Sequence, residues 1–284
     1  MEPVRQRKLS NVDKLENRQE VRFQGNHLTF PVSISSSYSL HWKGKENVKE
    51  ISIPENAILS LLEIGDPDGI VIYHLEKNAH LQLNVASLEE AHSFHRHFVL
   101  KENSSVKVAY ADFTFGKAKA EFSFDLVQEH SEIQFHLATL AADEDEKEFS
   151  VSFSHQAKNT YAEMQNYGVC EGKSKLVFSG VGHILHGAFQ SKTHQNARIM
   201  VFDPHCEAHA RPILKIDEND IEASHAASVG KVNEEHLFYL MSRGLSAEEG
   251  KQLITLGYLK PILGYFSEQT ILEKLTECME RRMK

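Results

Sequence analysis

The stretch "NDIEASHAASVGKVNEEHLFYLMSRGLS", residues 219–246, changes character half-way along. Up to Gly230 it holds small residues and a single histidine, His225, set between Ser224 and two alanines. Beyond Gly230 a helical pattern opens. Asn233 stands at an N-cap position and the acids Glu234 and Glu235 follow at the positive end of the helix dipole. Leu237, Leu240 and Met241 recur on one face, and Gly244 supplies a C′ stop. The chain therefore joins two kinds of structure here.

Upstream, short runs alternate apolar and polar. "AHLQLNV" places Leu81, Leu83 and Val85 on one face, and "SSVKVAYADFTF" places Val106, Val108 and Tyr110, then shifts phase to Phe113 and Phe115. "AEFSFDLV", "SEIQFHL" and "KEFSVSFSH" add Phe122, Phe124 and Leu126, then Ile133, Phe135 and Leu137, then Phe149, Val151 and Phe153. A period of two over so many runs predicts strands with one face buried and one wet. Turn signals separate them at "DPDG" (66–69), "KENSS" (101–105), "DEDEKE" (143–148) and "EGKSK" (171–175). "NVASLEEAHSFHRHF" (84–98) is the one candidate for an interrupting turn or short helix. Spacing alone leaves a sandwich, a barrel and a β-solenoid open.

Downstream, Ser246 with Glu249 forms a capping box for a second helix, expected to stop near Gly257 because Pro261 forbids a long continuation. A last helix is expected from about Ser267, with Ile271, Leu272, Leu275, Cys278 and Met279 on one face and cations at its end.

The totals narrow the function classes. Of 284 residues, 41% are hydrophobic and 25% charged, the balance of a folded globular chain. A net charge of −9 and the lack of a basic run give no general attraction for nucleic acid or anionic membrane. No apolar run is long enough for a membrane span, and the polar first residues lack the core of a signal peptide. Three scattered cysteines, Cys170, Cys206 and Cys278, make no disulfide framework, so a cytoplasmic location is expected. Phosphate loops and the G-x-S-x-G nucleophile elbow are missing from the sequence.

The 17 histidines invite a metal reading. The clusters are His92, His95 and His97; His183 and His186; and His205 and His209 beside Cys206. On a strand His95 and His97 share a face and could meet one ion, but no cluster has closed four-ligand zinc spacing. Ordinary hydrogen-bonded histidine is the favoured reading for each. Cys206 has histidines beside it, yet Asp203 and Glu207 as well, and nothing orients a catalytic triad. Cys170 and Cys278 read as packed residues.

Residues 178–262 taken together resemble the C-terminal part of the SufB/SufD family of iron–sulfur cluster assembly proteins. The resemblance rests on "ARPILKIDENDIEASHAASVG" and "EEHLFYLMSRGLS". It implies a right-handed parallel β-helix followed by a small helical segment. The expected parts are a short polar N-terminal segment (1–25), a β-helix core (26–230) and a C-terminal helical segment (231–284). The resemblance also implies a non-enzymatic scaffold subunit. It would pair through its β-helix with a SufB-like subunit, or with itself, and would bind a SufC-like ABC ATPase through Leu237, Phe238, Tyr239, Leu240, Arg243 and Gly244.

Ala226 follows His225 where SufB carries glutamate, so the resemblance implies a SufD-like chain, and the short polar segment before the first expected strands implies a short member; the register places SufB's essential cysteine at Ala197. His225, with Cys206, is the implied ligand for iron or a transient iron–sulfur cluster at a subunit interface, and no intrinsic cofactor is expected. From residues alone, a buried His225 bonding the β region to the helices is favoured instead. A homodimeric metal- or cluster-binding protein and a β-helix or cupin-like enzyme are the alternatives, the last lacking any placed acids or metal triad.

Overall fold

The structure, a computed structural model, describes residues 6–9, 22–24, 26–30, 35–41, 49–65, 69–88, 92–266 and 269–283, with side chains over 26–30 and from residue 49 on. Most of the expected polar segment, most of "DPDG", Glu89–Ala91 and Ser267 lie outside the described residues.

In chain order the strands are β1 (Gln6–Leu9), β2 (Arg22–Gln24), β3 (His27–Thr29), β4 (Ser35–His41), β5 (Glu50–Ile53), β6 (Ile58–Ile64), β7 (Gly69–Leu75), β8 (His80–Ser87) and β9 (His92–Leu100). They continue as β10 (Ser105–Asp112), β11 (Lys117–Leu126), β12 (Glu132–Ala141), β13 (Glu146–His155), β14 (Tyr161–Cys170), β15 (Lys175–Ile184), β16 (Lys192–Val201), β17 (Glu207–Ile216) and β18 (Glu222–Lys231). The helices α1 (Glu234–Ser242), α2 (Ala247–Leu263) and α3 (Gln269–Arg282) follow.

From β4 on, successive strands fall alternately into two nine-stranded sheets, one running β1-β4-β6-β8-β10-β12-β14-β16-β18 and the other β17-β15-β13-β11-β9-β7-β5-β3-β2. All described pairings are parallel except β2 with β3. From β3 on each strand thus pairs with the next-but-one, which makes the chain a parallel β-solenoid. The described parts of "NVASLEEAHSFHRHF", residues 84–88 and 92–98, lie at the end of β8 and in β9 and not in a helix, because Leu83, Val85, Phe94 and Phe98 keep the period of two and point inward.

The inner core stacks like on like. Phe98 and Phe124 are stacked at 4.7 Å, Tyr73 and Phe98 at 4.6 Å. The repeat that makes this possible sits at one corner. Asn56, Asn78, Asn103 and Asn159 all adopt positive φ, and the next residue, Ala57, Ala79, Ser104 or Thr160, is buried. Asparagine tolerates this left-handed conformation, and the small residue tucks the chain into the turn. The amides also bond to each other across coils: Asn78 Nδ2 donates to Asn56 Oδ1 at 2.9 Å and Asn103 Nδ2 to Asn78 Oδ1 at 2.8 Å.

A second core lies outside the first sheet. The later positions of β10, β12, β14 and β16 are buried on both faces, not one, because α2 and α3 cover them. Ala109, Ala111 and Ala138 let the helices approach closely against Leu259, Ile262, Leu275 and Met279. Burying each of these larger side chains contributes about 1.5–3 kcal/mol. This explains the phase shift at Phe113, which faces the helices while Phe115 is exposed.

The cap on α1 is as expected, with Asn233 Oδ1 accepting from Glu235 N at 2.8 Å, and so is the Ser246–Glu249 capping box of α2. The expected stop at Gly257 is not observed, and α2 runs through Pro261 to Leu263. Proline removes one hydrogen bond and crowds the carbonyl four residues back. Here that residue is Gly257, around which a Cβ would meet nothing within 4 Å, and burial of Leu259, Ile262 and Leu263 outweighs the loss.

Candidate functional site: the open last coil and its helical extension

β17 and β18 each end a sheet, so no further coil covers them. Their inward-facing columns continue those of β15 and β16 but lie at the surface. Ile216 and Val229, in register with the inward Ile184 and Ile199, are exposed here, as is Ile213 on the outer side of β17, and neither strand has a further neighbour on this side. Such an edge pairs readily with another chain.

His225 is on this edge. It is in register with Gln195 of β16, whose side chain is buried, so His225 belongs to the inward column and is exposed only because the solenoid stops. The reading of His225 as a buried link to the helices is therefore overturned. Beneath it Gln195 Nε2 donates to Ile213 O at 3.1 Å, while Gln195 Oε1, Thr193 Oγ1 and Asn166 Oδ1 are buried without a protein partner. Gly180 and Gly182 make room for this polar layer, since a Cβ at 180 would lie 2.7 Å from Gln195 Oε1 and one at 182 would lie 2.9 Å from Thr193 Oγ1. Buried acceptors of this kind are places for ordered water. Ala197 belongs to the same inward column, buried between Asn166 and Ala227 in register.

Cys206 is not beside His225. It lies in the corner before β17, next to the end of β16, whereas His225 is near the start of β18 and in register with the start of β16. Strand rise puts about 20 Å between those two levels of the coil. What the corner does bring to Cys206 is a second thiol. Cys170 Sγ is 3.1 Å from Ser174 Oγ, and Cys206 Sγ donates to Gly172 O in the same turn. Burial pushes the Cys170 thiol up to about 12, and the neighbouring Ser174 hydroxyl and Cys206 sulfur act on it as well. Sequence separation hid this pairing. Cys278 is buried in the outer core, as expected.

The residues assigned to ATPase docking split between two faces of α1. Leu237 and Leu240 turn toward α2, where a Cβ at Gly250 would lie 2.7 Å from Leu237 Cδ1. Phe238 and Tyr239 are 73% and 54% exposed, and Met241, one helical turn after Leu237, is exposed too. Arg243 lies over the Tyr239 ring at 5.1 Å, and Gly244 closes the helix at φ +98°. No residue of α1 is buried.

Several other histidines are held by hydrogen bonds or ion pairs, whereas neither ring nitrogen of the buried His136 has a protein partner. His183 Nε2 meets Asp217 at 2.7 Å, and His92 is buried inside the solenoid against Tyr110 and Asp112. Among the described residues, no group of three or more His, Cys, Asp or Glu donors is arranged for a metal ion. No described helix is long and apolar enough to cross a membrane.

A parallel β-solenoid that ends in an open coil and a short helical extension defines the class. Its sequence matches the family described as SUF system FeS cluster assembly, SufBD core domain, over residues 51–258, and the chain belongs to that family. It is 34% identical over 141 residues to the iron–sulfur cluster assembly protein SufD of Bacillus subtilis, a match covering 50% of this chain and 32% of that protein. It is 30% identical over 130 residues to a SufBD family protein of Staphylococcus saprophyticus, covering 46% of the chain and 27% of the relative. A Mycobacterium tuberculosis SufBD family protein is 27% identical over 156 residues, 55% of the chain and 18% of the relative. Each match spans well under two thirds of the relative's own length.

Proposed function

We propose that the chain is a non-enzymatic assembly subunit of a cytoplasmic SUF-type iron–sulfur cluster biogenesis complex. The observation that carries this reading is the uncovered last coil with His225 in its inward column. A SufB-like subunit pairs with the β17–β18 edge, burying Ile213, Ile216 and Val229. The small neighbours Ser224, Ala226 and Ala227 let that partner approach the imidazole, which ligates iron or a nascent cluster beside a partner thiolate. The cluster is cargo, not a resident cofactor. A SufC-like ABC ATPase takes the exposed Phe238 and Tyr239 of α1 in a groove, as amphipathic helices dock generally. Cys206 lies too far along the coil to share a ligand set with His225 of the same chain.

Co-purification with a SufB homologue and the ATPase reads the stoichiometry. In the reconstituted complex, His225→Ala should keep assembly and lose cluster formation. Unchanged cluster formation in the folded complex would remove the ligand role. The same open edge also fits a second copy of this chain, and a stable homodimer that binds cluster without a SufB partner would favour that alternative.

A further inference from the structure

The outer face of the sheet ending in β17 carries histidines that the assembly role leaves unused. His95 and His97 are two apart on β9 and both point away from the core. His95 Nε2 and His97 Nδ1 converge on one oxygen, Ser123 Oγ of β11, at 2.6 and 2.7 Å. The rings meet edge to face with centroids 6.1 Å apart. A hydroxyl has one proton, so Ser123 donates to only one of these nitrogens and the other imidazole must supply its own N–H.

Two further carboxylates complete the surroundings. The remaining nitrogen of His97, Nε2, lies 3.4 Å from Asp125 Oδ2. A carboxylate at the far nitrogen is what orients an imidazole whose near nitrogen binds a metal. Glu121 is the cross-strand partner of His95, and its side chain is exposed on the same face.

We propose that His95 Nε2 and His97 Nδ1, joined by the Glu121 carboxylate, bind a divalent first-row transition metal ion on the outer face of the solenoid. Two imidazoles and one carboxylate suit such an ion, with water filling the remaining positions. Binding exchanges the two hydrogen bonds to Ser123 for two metal–nitrogen bonds of about 2.0–2.1 Å. In the ion-free chain only the two nitrogens converge, and rotation of the exposed Glu121 side chain closes the set. The site is coils away from the open edge, so it does not depend on the pairing proposed above.

The full chain, stripped of metal, is titrated with Zn2+ by calorimetry and with Co2+ by visible absorption. Saturable binding is expected, with ligand-field bands for Co2+. His95→Ala and His97→Ala should each weaken it by roughly tenfold or more, and Glu121→Gln by less. Ser123→Ala should keep or strengthen it, since the competing hydroxyl is gone. Wild-type melting temperatures show that these surface variants fold. Absence of saturable binding, or wild-type affinity in the His95→Ala/His97→Ala double variant, would overturn the proposal.

Discussion

Arg282, in the last turn of α3, is buried against Asp145 at a corner of the solenoid. Its guanidinium also donates to Phe113 O at 3.2 Å and lies 4.4 Å from the centre of the Phe115 ring. Asp145 in turn accepts from Gly116 N at 2.7 Å and Ala142 N at 2.9 Å. A cation that the helical pattern assigns to a solvated end is instead what fastens the helix to the β-solenoid.

Removing one member of a buried ion pair leaves the other charge unpaired, at about 3–5 kcal/mol. Arg282→Met should therefore lower the unfolding free energy read from urea denaturation by that order and loosen α3. A double variant with Asp145→Ala should cost clearly less than the two single changes together. Additive losses would show that the pair does not act as a unit.

Lys147 and Asp112, both fully buried, form a second such pair at 2.5 Å, with His92 on the other carboxylate oxygen at 3.2 Å. Burial alone would raise the Asp112 carboxyl, but Lys147 and His92 hold it well below the usual range. Its folded pKa is depressed, so its contribution is present above the unfolded value and is lost as pH falls through the acid range. Lys147→Met should unfold the chain more readily at neutral pH and flatten the acid limb of a stability–pH curve.

His136 and His155 give a separate window. Burial lowers both to about 4 from 6.5, and His136 stacks on Tyr265 at 4.0 Å. The unfolded chain takes up these protons first, so stability is full above about pH 6.5 and falls as pH drops toward 4. Denaturant midpoints at pH 7, 5.5 and 4.5 should decline accordingly. His136→Phe keeps the stack and should make that decline shallower.

The corner ladder predicts a backbone effect. Asn78 has φ of +56° and shares its amide with Asn56 and Asn103. Asn78→Ala places an ordinary residue in the left-handed region and breaks both contacts, a loss of about 1–2 kcal/mol. Asn78→Gly should recover part of it, as read by thermal melting.

Gly250 controls how α1 sits. Any larger residue there meets Leu237, so Gly250→Leu should displace α1 and weaken ATPase binding without a comparable loss of stability. Phe238→Ala, at a fully displayed side chain, should weaken binding with α1 in place. Wild-type affinity for the proposed ATPase partner in both variants would argue against docking through α1.

The alternating runs located every inward column tested, from Leu81 to Phe153, because strand geometry is written into each pair of adjacent residues. The corner repeat of an asparagine followed by alanine, serine or threonine is equally present in the sequence but gives no local pattern that marks it. It is short, and it drifts to His130 and Gln190 at equivalent turns. The cap and capping box were legible for the same local reason. The end of α2 was not, because burial of Leu259, Ile262 and Leu263 outweighs the local stop signals at Gly257 and Pro261.

By itself the sequence determined the strands around Leu81–Val85 and from Val106 to Phe153, where the helical segment starts, and which family features surround His225. Those are consequences of dihedral preference and side-chain period over a few positions. Only the tertiary structure decided that His225 caps an open column, that Cys206 keeps company with Cys170 and not with His225, and that Arg282 is buried. Stacking joins residues one coil apart, 22 residues in the case of Asn56 and Asn78 and 31 in that of Thr160 and Ser191. Neighbourhood over such distances depends on register and on which coil is last, and no local pattern records either.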